Sequence, residues 1–240
     1  MPISERLCLS GVMALVMALA GCVDGLSLGG ALNDAPREVQ VTSDAVTITG
    51  PRGFCVDPTA TRNSNDTSFV LLGNCAAISG SARARQPDVP AVLTAAISAP
   101  SSGASLTANL EALEVFFLTE DGRALLSRSG DAASVQILDT RIEQDMFLIH
   151  ARDSSAGDVV GVASDYWRAY MEIGARLASL SVLALEDAEV SDMQALATLT
   201  RFAAAVQAAN PTPDAAEEPQ GAGEELTTPF RRGLFQRIFQ

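Results

Sequence analysis

The chain contains no lysine: its 16 basic residues are all arginine, set against 29 acids for a formal net charge of -13. Without lysine there can be no P-loop, no Schiff-base nucleophile, no pyridoxal-phosphate anchor and no Ser-Lys dyad. Histidine is almost as scarce. The single His150 excludes H-E-x-x-H and every other two-histidine metal centre. No G-x-S-x-G nucleophile elbow occurs. An acidic chain without a basic stripe is also a poor partner for nucleic acid, because that affinity comes from neutralising phosphates.

What is present begins with a processing signal. Arg6 and the free amine give a weakly basic start, and the apolar run from Leu7 to Ala20 is too short to span a bilayer as a stable anchor. Leu19-Ala20-Gly21-Cys22 closes that run with two small residues directly before a cysteine. The pattern resembles the lipobox of bacterial lipoproteins; the alternative is an ordinary signal peptide with an accidental cysteine. The resemblance implies that the Cys22 thiol receives a diacylglyceryl group, that residues 1–21 are removed, and that the new amine is acylated. At about 0.8 kcal/mol per buried CH₂, several acyl chains hold a protein firmly on a membrane. Val23 after the cysteine, in place of an acidic residue, implies the periplasmic face of the outer membrane rather than the inner membrane.

The same reading disposes of the cysteines. Cys8 leaves with the signal peptide and Cys22 is acylated, so Cys55 and Cys75 remain, and an oxidising compartment predicts one disulfide between them. Closing a loop of that length stabilises a domain by about 3 kcal/mol on chain-entropy grounds. No thiol is left for catalysis. Two cysteines and one histidine fall short of a zinc site, and no cofactor is expected.

Five regions follow from composition. Residues 1–21 are the signal peptide, and 22–40, rich in Gly, Leu and small residues, read as a flexible tether. Residues 41–210 are long enough for one domain with one core. Residues 211–229 carry four prolines and five acids (Asp214, Glu217, Glu218, Glu224, Glu225) with no base, the composition of a linker. Residues 230–240 form a C-terminal amphipathic basic segment.

Inside the domain, strands are expected at Val41 to Ile48, Gly53 to Val56, Phe69 to Leu72 and Val92 to Ile97. Val135 to Ile142 and Met146 to Ala151 read as a hairpin across Glu143-Gln144-Asp145. Trp167, Ala169, Met171 and Ile173 alternate with Tyr166, Arg168, Tyr170 and Glu172, which fits a strand, although Trp167, Tyr170, Met171 and Gly174 also suit a helical stripe. Gly174-Ala175 would then turn the chain back into Leu177 to Leu185. Helices are expected where Leu106, Leu110, Leu113 and Phe117 make one stripe, in a short piece after Thr119 as N-cap through Leu126, and from the capping box Ser191/Gln194 to Asn210-Pro211. Helices inserted among hairpins predict an α+β fold, an antiparallel sheet with two main helices packed on it.

The segments G-P-R-G-F-C-V-D (Gly50 to Asp57), S-F-V-L-L-G-N-C (Ser68 to Cys75), H-A-R-D (His150 to Asp153) and D-Y-W-R (Asp165 to Arg168) resemble a group of alphaproteobacterial lipoproteins over most of residues 40–210. The resemblance implies a compartment but no activity. The order of elements is also similar to that of PsbP-like domains, which implies an α/β/α sandwich with helices on both sides of the sheet.

Catalytic candidates are few. His150 with Asp153 and a serine could support acyl transfer, against a structural histidine flanked by an Arg-Asp pair. Tyr166, Trp167 and Tyr170 could make an aromatic platform, against core packing of Trp167. In the C-terminal segment, Phe230, Leu234, Phe235, Ile238 and Phe239 are spaced for one apolar helical face, beside Arg231, Arg232 and Arg237. So short a peptide does not hold a helix alone in water. It needs a receiver: a partner protein's groove, an anionic membrane surface or a groove on its own domain. The expectation is therefore a lipid-anchored envelope protein that binds rather than catalyses, held to the membrane through Cys22 and to a protein partner through residues 230–240. The rivals are a periplasmic hydrolase using His150 and a purely structural envelope component.

Overall fold

The computed structural model describes residues 35–103, 105–155 and 160–211. Cys22, most of the expected tether, the acidic linker beyond Pro211 and the whole set Phe230 to Phe239 lie outside the described residues.

Two sheets form, and every pairing in them is antiparallel. β1 (Glu38–Val41) and β2 (Val46–Thr49) make a separate hairpin. Residues 38–40, expected to belong to the tether, are therefore strand. The eight-stranded sheet contains β3 (Phe54–Val56), β4 (Arg62–Asn63), β5 (Ser68–Asn74), β6 (Ala91–Ile97), β7 (Val135–Glu143), β8 (Met146–Asp153), β9 (Val162–Ile173) and β10 (Arg176–Leu185). Its order is β3-β5-β6-β10-β9-β8-β7, with β4 paired to β5. The ambiguous stretch around Trp167 is strand because both of its edges are claimed, Trp167 facing Val182 on one side and His150 on the other.

Four helices accompany the sheet among the described residues: α1 (Cys75–Ser79), α2 (Leu110–Phe117), α3 (Glu120–Leu126) and α4 (Asp192–Ala209). The period-2 alternation of the strands divides the core in two. Leu93, Leu148, Trp167, Ala169, Leu180 and Val182 point to one face, where Leu199, Phe202, Ala203 and Val206 of α4 and Val41 and Ile48 of the hairpin cover them. Phe147, Ile149, Ala151, Tyr166 and Tyr170 point to the other, beneath Leu110, Leu113 and Phe117 of α2 and Leu126 of α3. Covering on both faces explains why β8 is buried almost throughout while reading as a continuous apolar run at its start. Each large side chain so buried contributes roughly 1.5–3 kcal/mol. The chain is thus a mixed α+β protein with a mostly antiparallel sheet.

Local signals account for the ends of the helices. Ser191 Oγ accepts from Gln194 N at 3.3 Å while Gln194 Oε1 accepts from Ser191 N at 3.0 Å, the expected capping box. Thr119 Oγ1 accepts from Gly122 N at 3.1 Å. The stripe from Leu106 splits: residues 107–109 make one 3-10 turn and the α-helix starts at Leu110. At the elbow between α2 and α3 only a glycine fits, since a Cβ on Gly122 would lie 2.2 Å from Phe116 O. Asn210 closes α4 and ties it to the hairpin, with Oδ1 accepting from Thr47 N at 2.8 Å and Nδ2 donating to Thr47 O at 2.7 Å.

Two covalent or ionic pins complete the fold. Cys55 on β3 and Cys75 at the start of α1 form a disulfide, as expected. Arg176 is 1% exposed, yet its guanidinium is engaged: Nε donates to Asp44 Oδ2 at 2.7 Å, and Nη1 donates to Ser98 O at 2.7 Å and to Asp66 O. The Arg176 contact holds the Asp44 carboxyl below its usual range. Among the described residues, no helix is long and apolar enough to cross a membrane.

Candidate functional site

On the sheet face that carries α2 and α3, the two helices stop short. Strands β5, β6 and β10 continue past α3 with small or polar side chains pointing outward: Thr94, Ala96, Ser179 and Ser181. Strand register lines these up in rows. Leu71 faces Thr94, Thr94 faces Ser181 and Ser181 faces Arg168; one row along, Phe69 faces Ala96, Ala96 faces Ser179 and Ser179 faces Tyr170. Small side chains in the middle of each row, flanked by large ones, leave a hollow. The result is a cavity of about 530 Å³, walled by Leu125, Leu126 and Arg128 on one side and Thr59, Ala60 and Arg62 on the other. That size is within the range of small-ligand sites.

Arg168 is the chemical centre of this cavity. It rises from β9 between Tyr166 and Tyr170, partly buried. Its Nε donates to Ser181 Oγ at 2.9 Å, and its guanidinium carbon lies 5.0 Å from the centre of the Tyr166 ring. A guanidinium carries five N–H donors in one planar fork and stays charged at any ordinary pH. Here Nε is taken by Ser181. Among the described residues no carboxylate lies within ion-pair distance of Arg168. The buried Tyr170 hydroxyl lies beside it and favours the charged guanidinium. Burial pushes the Tyr166 hydroxyl up to about 12, so that ring stays neutral, and it donates to Leu126 O at 2.8 Å.

Asp153, the acid best placed to neutralise this charge, is committed elsewhere. It is 1% exposed and accepts from Arg128 N at 2.7 Å, Ser134 Oγ at 2.7 Å, and Ser155 N and Oγ at 2.9 and 2.7 Å. Burial works against its ionisation, but the backbone donors of Arg128 and Ser155 with the two serine hydroxyls outweigh that and hold the carboxyl below its usual range. Arg128 Nε is 3.9 Å from the same carboxylate. The cavity therefore offers two guanidinium groups with no ion pair among the described residues, the partly buried Arg168 and the exposed Arg62, with hydroxyls from Thr94 and Ser181 and apolar walls from Phe69, Leu71, Leu125 and Leu183. Such a set suits a carboxylate, phosphate or sulfate group on a molecule with an apolar body.

His150 sits on the opposite face. Its ring stacks on Trp167 with centroids 4.7 Å apart and planes 10° apart, and Nε2 lies 3.6 Å from Asp192 Oδ1 at the start of α4. Arg141 lies over the same indole, 5.3 Å from its centre. Asp153, the sequence partner considered for a catalytic pair, points through the sheet to the other side, because residues three apart on a strand face opposite ways. Arg152 bonds Asp165 at 2.6 and 2.9 Å rather than Asp153, and that pairing holds the Asp165 carboxyl below its usual range. Among the described residues no serine hydroxyl is hydrogen-bonded to His150. The aromatic platform does not assemble either: Trp167 is 2% exposed beneath α4, while Tyr166 and Tyr170 face α2 and α3.

Sequence reasoning had placed Arg168 on the polar face of its strand and passed over it. The available signal was the Tyr166-x-Arg168-x-Tyr170 pattern, a charge set between two aromatic residues on one strand face. Comparison with protein-family models, with curated proteins and with solved structures finds no match to this chain. Its function therefore has to be argued from the site.

Proposed function

We propose that the protein is a lipid-anchored component of the bacterial cell envelope, acylated at Cys22 and facing the periplasm, that binds a small anionic amphiphile and acts as a binding or accessory factor rather than as an enzyme. The observation that carries this reading is the unneutralised Arg168 guanidinium inside a roomy, largely apolar cavity. A partly buried charge without a counter-ion costs stability, so its retention is accounted for by a ligand that supplies the missing anion. The Cys55–Cys75 disulfide supports an oxidising compartment. Helices on both faces of an antiparallel sheet support the likeness in element order to PsbP-like domains, as a likeness of fold alone. The protein partner of residues 230–240 remains part of the proposal on sequence grounds.

The rival hydrolase would use His150, whose ring is taken up by Trp167 and Asp192. Complementation of a deletion strain separates the two readings. Binding predicts that His150→Ala restores the phenotype while Arg168→Met and removal of residues 230–240 do not. The reverse pattern overturns it. Indifference to all three changes would indicate a structural envelope component. The anchor has its own check: mass spectrometry of the mature N-terminus gives an acylated Cys22, and an unmodified cysteine in a soluble fraction contradicts it.

A further inference from the structure

A second recess, of about 840 Å³, lies at the far edge of the large sheet, around the disulfide. Four arginines line it: Arg37, Arg52, Arg83 and Arg85. All four are exposed, and none makes an ion pair or a side-chain hydrogen bond among the described residues. Among the described residues no acidic side chain lines the recess. In a chain of net charge -13 this is a marked concentration of unpaired positive charge.

The cluster is built rather than accidental in its placement. Gly53, at a left-handed φ of 93°, lies so close to the 81–86 loop that a Cβ would stand 2.5 Å from Gln86 O. Only a glycine permits that approach, and it holds the segment carrying Arg83 and Arg85 against the segment carrying Arg52. The disulfide fixes the floor, joining β3 to α1. Arg37 comes in from the other side, just before β1. Ala35 also lines the recess, and residues 23–34 join it covalently to Cys22.

We infer that this four-arginine recess is a contact surface for an anionic phospholipid bilayer, the guanidinium groups engaging lipid phosphates and orienting the domain with its disulfide edge toward the membrane. The inference rests on the membrane-anchor reading above, since only the twelve residues 23–34 lie between Cys22 and Ala35 and keep this edge within reach of the surface that the acyl chains enter. Screening decides the sign of the net interaction. At about 0.1 M salt the Debye length is roughly 10 Å, so the acids elsewhere on the domain are muffled while arginines in contact are not. Arginine near an anionic surface strengthens binding about fivefold per residue. Its planar fork also matches phosphate oxygens in pairs.

The test is vesicle sedimentation of the full chain carrying Cys22→Ala, which removes acylation. Arg6, the apolar run Leu7 to Ala20 and the basic segment from Arg231 to Arg237 are the same in every variant, so the readout is the ratio of partition into phosphatidylglycerol-containing vesicles over pure phosphatidylcholine vesicles, compared between variants. That ratio is expected to exceed one clearly, to fall about 25-fold in Arg52→Gln/Arg83→Gln, to survive in Arg52→Lys/Arg83→Lys and to collapse at high salt. Arg141→Gln on β7, at the opposite edge of the sheet, serves as the control for net charge and leaves it unchanged. A ratio of one, an equal loss in Arg141→Gln, or loss in the lysine variant overturns the inference. Because the four side chains make no ion pair or side-chain hydrogen bond among the described residues, the glutamine variant keeps its melting temperature. Failure of Cys22 to be acylated in cells would defeat the anchor reading and leave the vesicle ratio standing.

Discussion

Arg168 and Arg176 occupy adjacent strands of one sheet, the first partly and the second fully buried, and the structure assigns them opposite thermodynamic roles. Arg176 is fully engaged, and its replacement by Met keeps the aliphatic stem while removing three bonds. The bond to Ser98 O, which is buried, accounts for about 1.5–3 kcal/mol because the carbonyl is left without a partner. The Asp44 carboxylate is about half exposed, so that pair adds only about 0.5–1 kcal/mol, and the carbonyl of the exposed Asp66 adds about 1 kcal/mol. Arg176→Met should therefore cost about 3–5 kcal/mol, a fall in Tm of about 10 °C for a domain of this size. Arg168→Met loses the single bond to Ser181 and the Tyr166 contact, but it also removes a charge held without a counter-ion. The two effects are of the same order, and the net change should be within about 1 kcal/mol. Urea denaturation of the disulfide-intact proteins measures both. If Arg168→Met destabilises as much as Arg176→Met, then Arg168 is a structural pin and its role as a ligand anchor fails.

Three further outcomes follow from particular contacts. Gly122→Ala should destabilise by about 3 kcal/mol or more, because the new methyl meets Phe116 O and Phe117 Cα at 2.2 and 2.5 Å and the elbow of α2 and α3 must open; an unchanged urea midpoint would contradict that geometry. Cys55→Ala/Cys75→Ala should cost about 3 kcal/mol in denaturant and widen the arginine recess, read as faster proteolysis within residues 81–86; equal stability to the wild type would rule out the disulfide as a staple. Asp153 has its carboxyl pKa lowered on folding, so its contribution is present above the unfolded value of about 3.9 and is lost as pH falls through the folded value. The stability gap between wild type and Asp153→Asn should accordingly shrink as pH drops below about 4. A gap that stays constant with pH would mean that the carboxylate is not ionised in the fold.

Much of the scaffold was legible because its signals were local. The capping box at Ser191 and Gln194, the cap at Thr119 and the glycine turn at Gly174 each specify one boundary, and each is where it was expected. Alternation located β5 to β8 and β10, since one side of every strand is committed to a core. The five residues of α1 escaped notice, being too few for a period to register; Asn74 and the left-handed Gly80 mark its ends. The independence of the β1–β2 hairpin from the main sheet could not be read either, because pairing partners are a long-range property. The cavity was missed for a related reason. Arg168 reads as a solvent-facing residue until β10, contributing Ser181, and β6 beyond it, contributing Thr94, place it on a floor beneath α3. Likewise the sequence puts His150 beside Asp153, whereas the pleat sends the two side chains to opposite faces and gives His150 to Asp192.

The central claim is that the Arg168 cavity takes an anionic amphiphile, and fluorescence titration with parinarate, a carboxylate on a long apolar chain, addresses it most directly. The wild-type protein should bind one equivalent with enhanced emission, and Arg168→Met should weaken binding by a factor of about 10 or more, the loss of one charge-assisted contact. The uncharged methyl ester should bind the wild type as poorly as the acid binds the variant. Equal affinity of wild type and Arg168→Met for parinarate, or no saturable binding at all, would contradict the account.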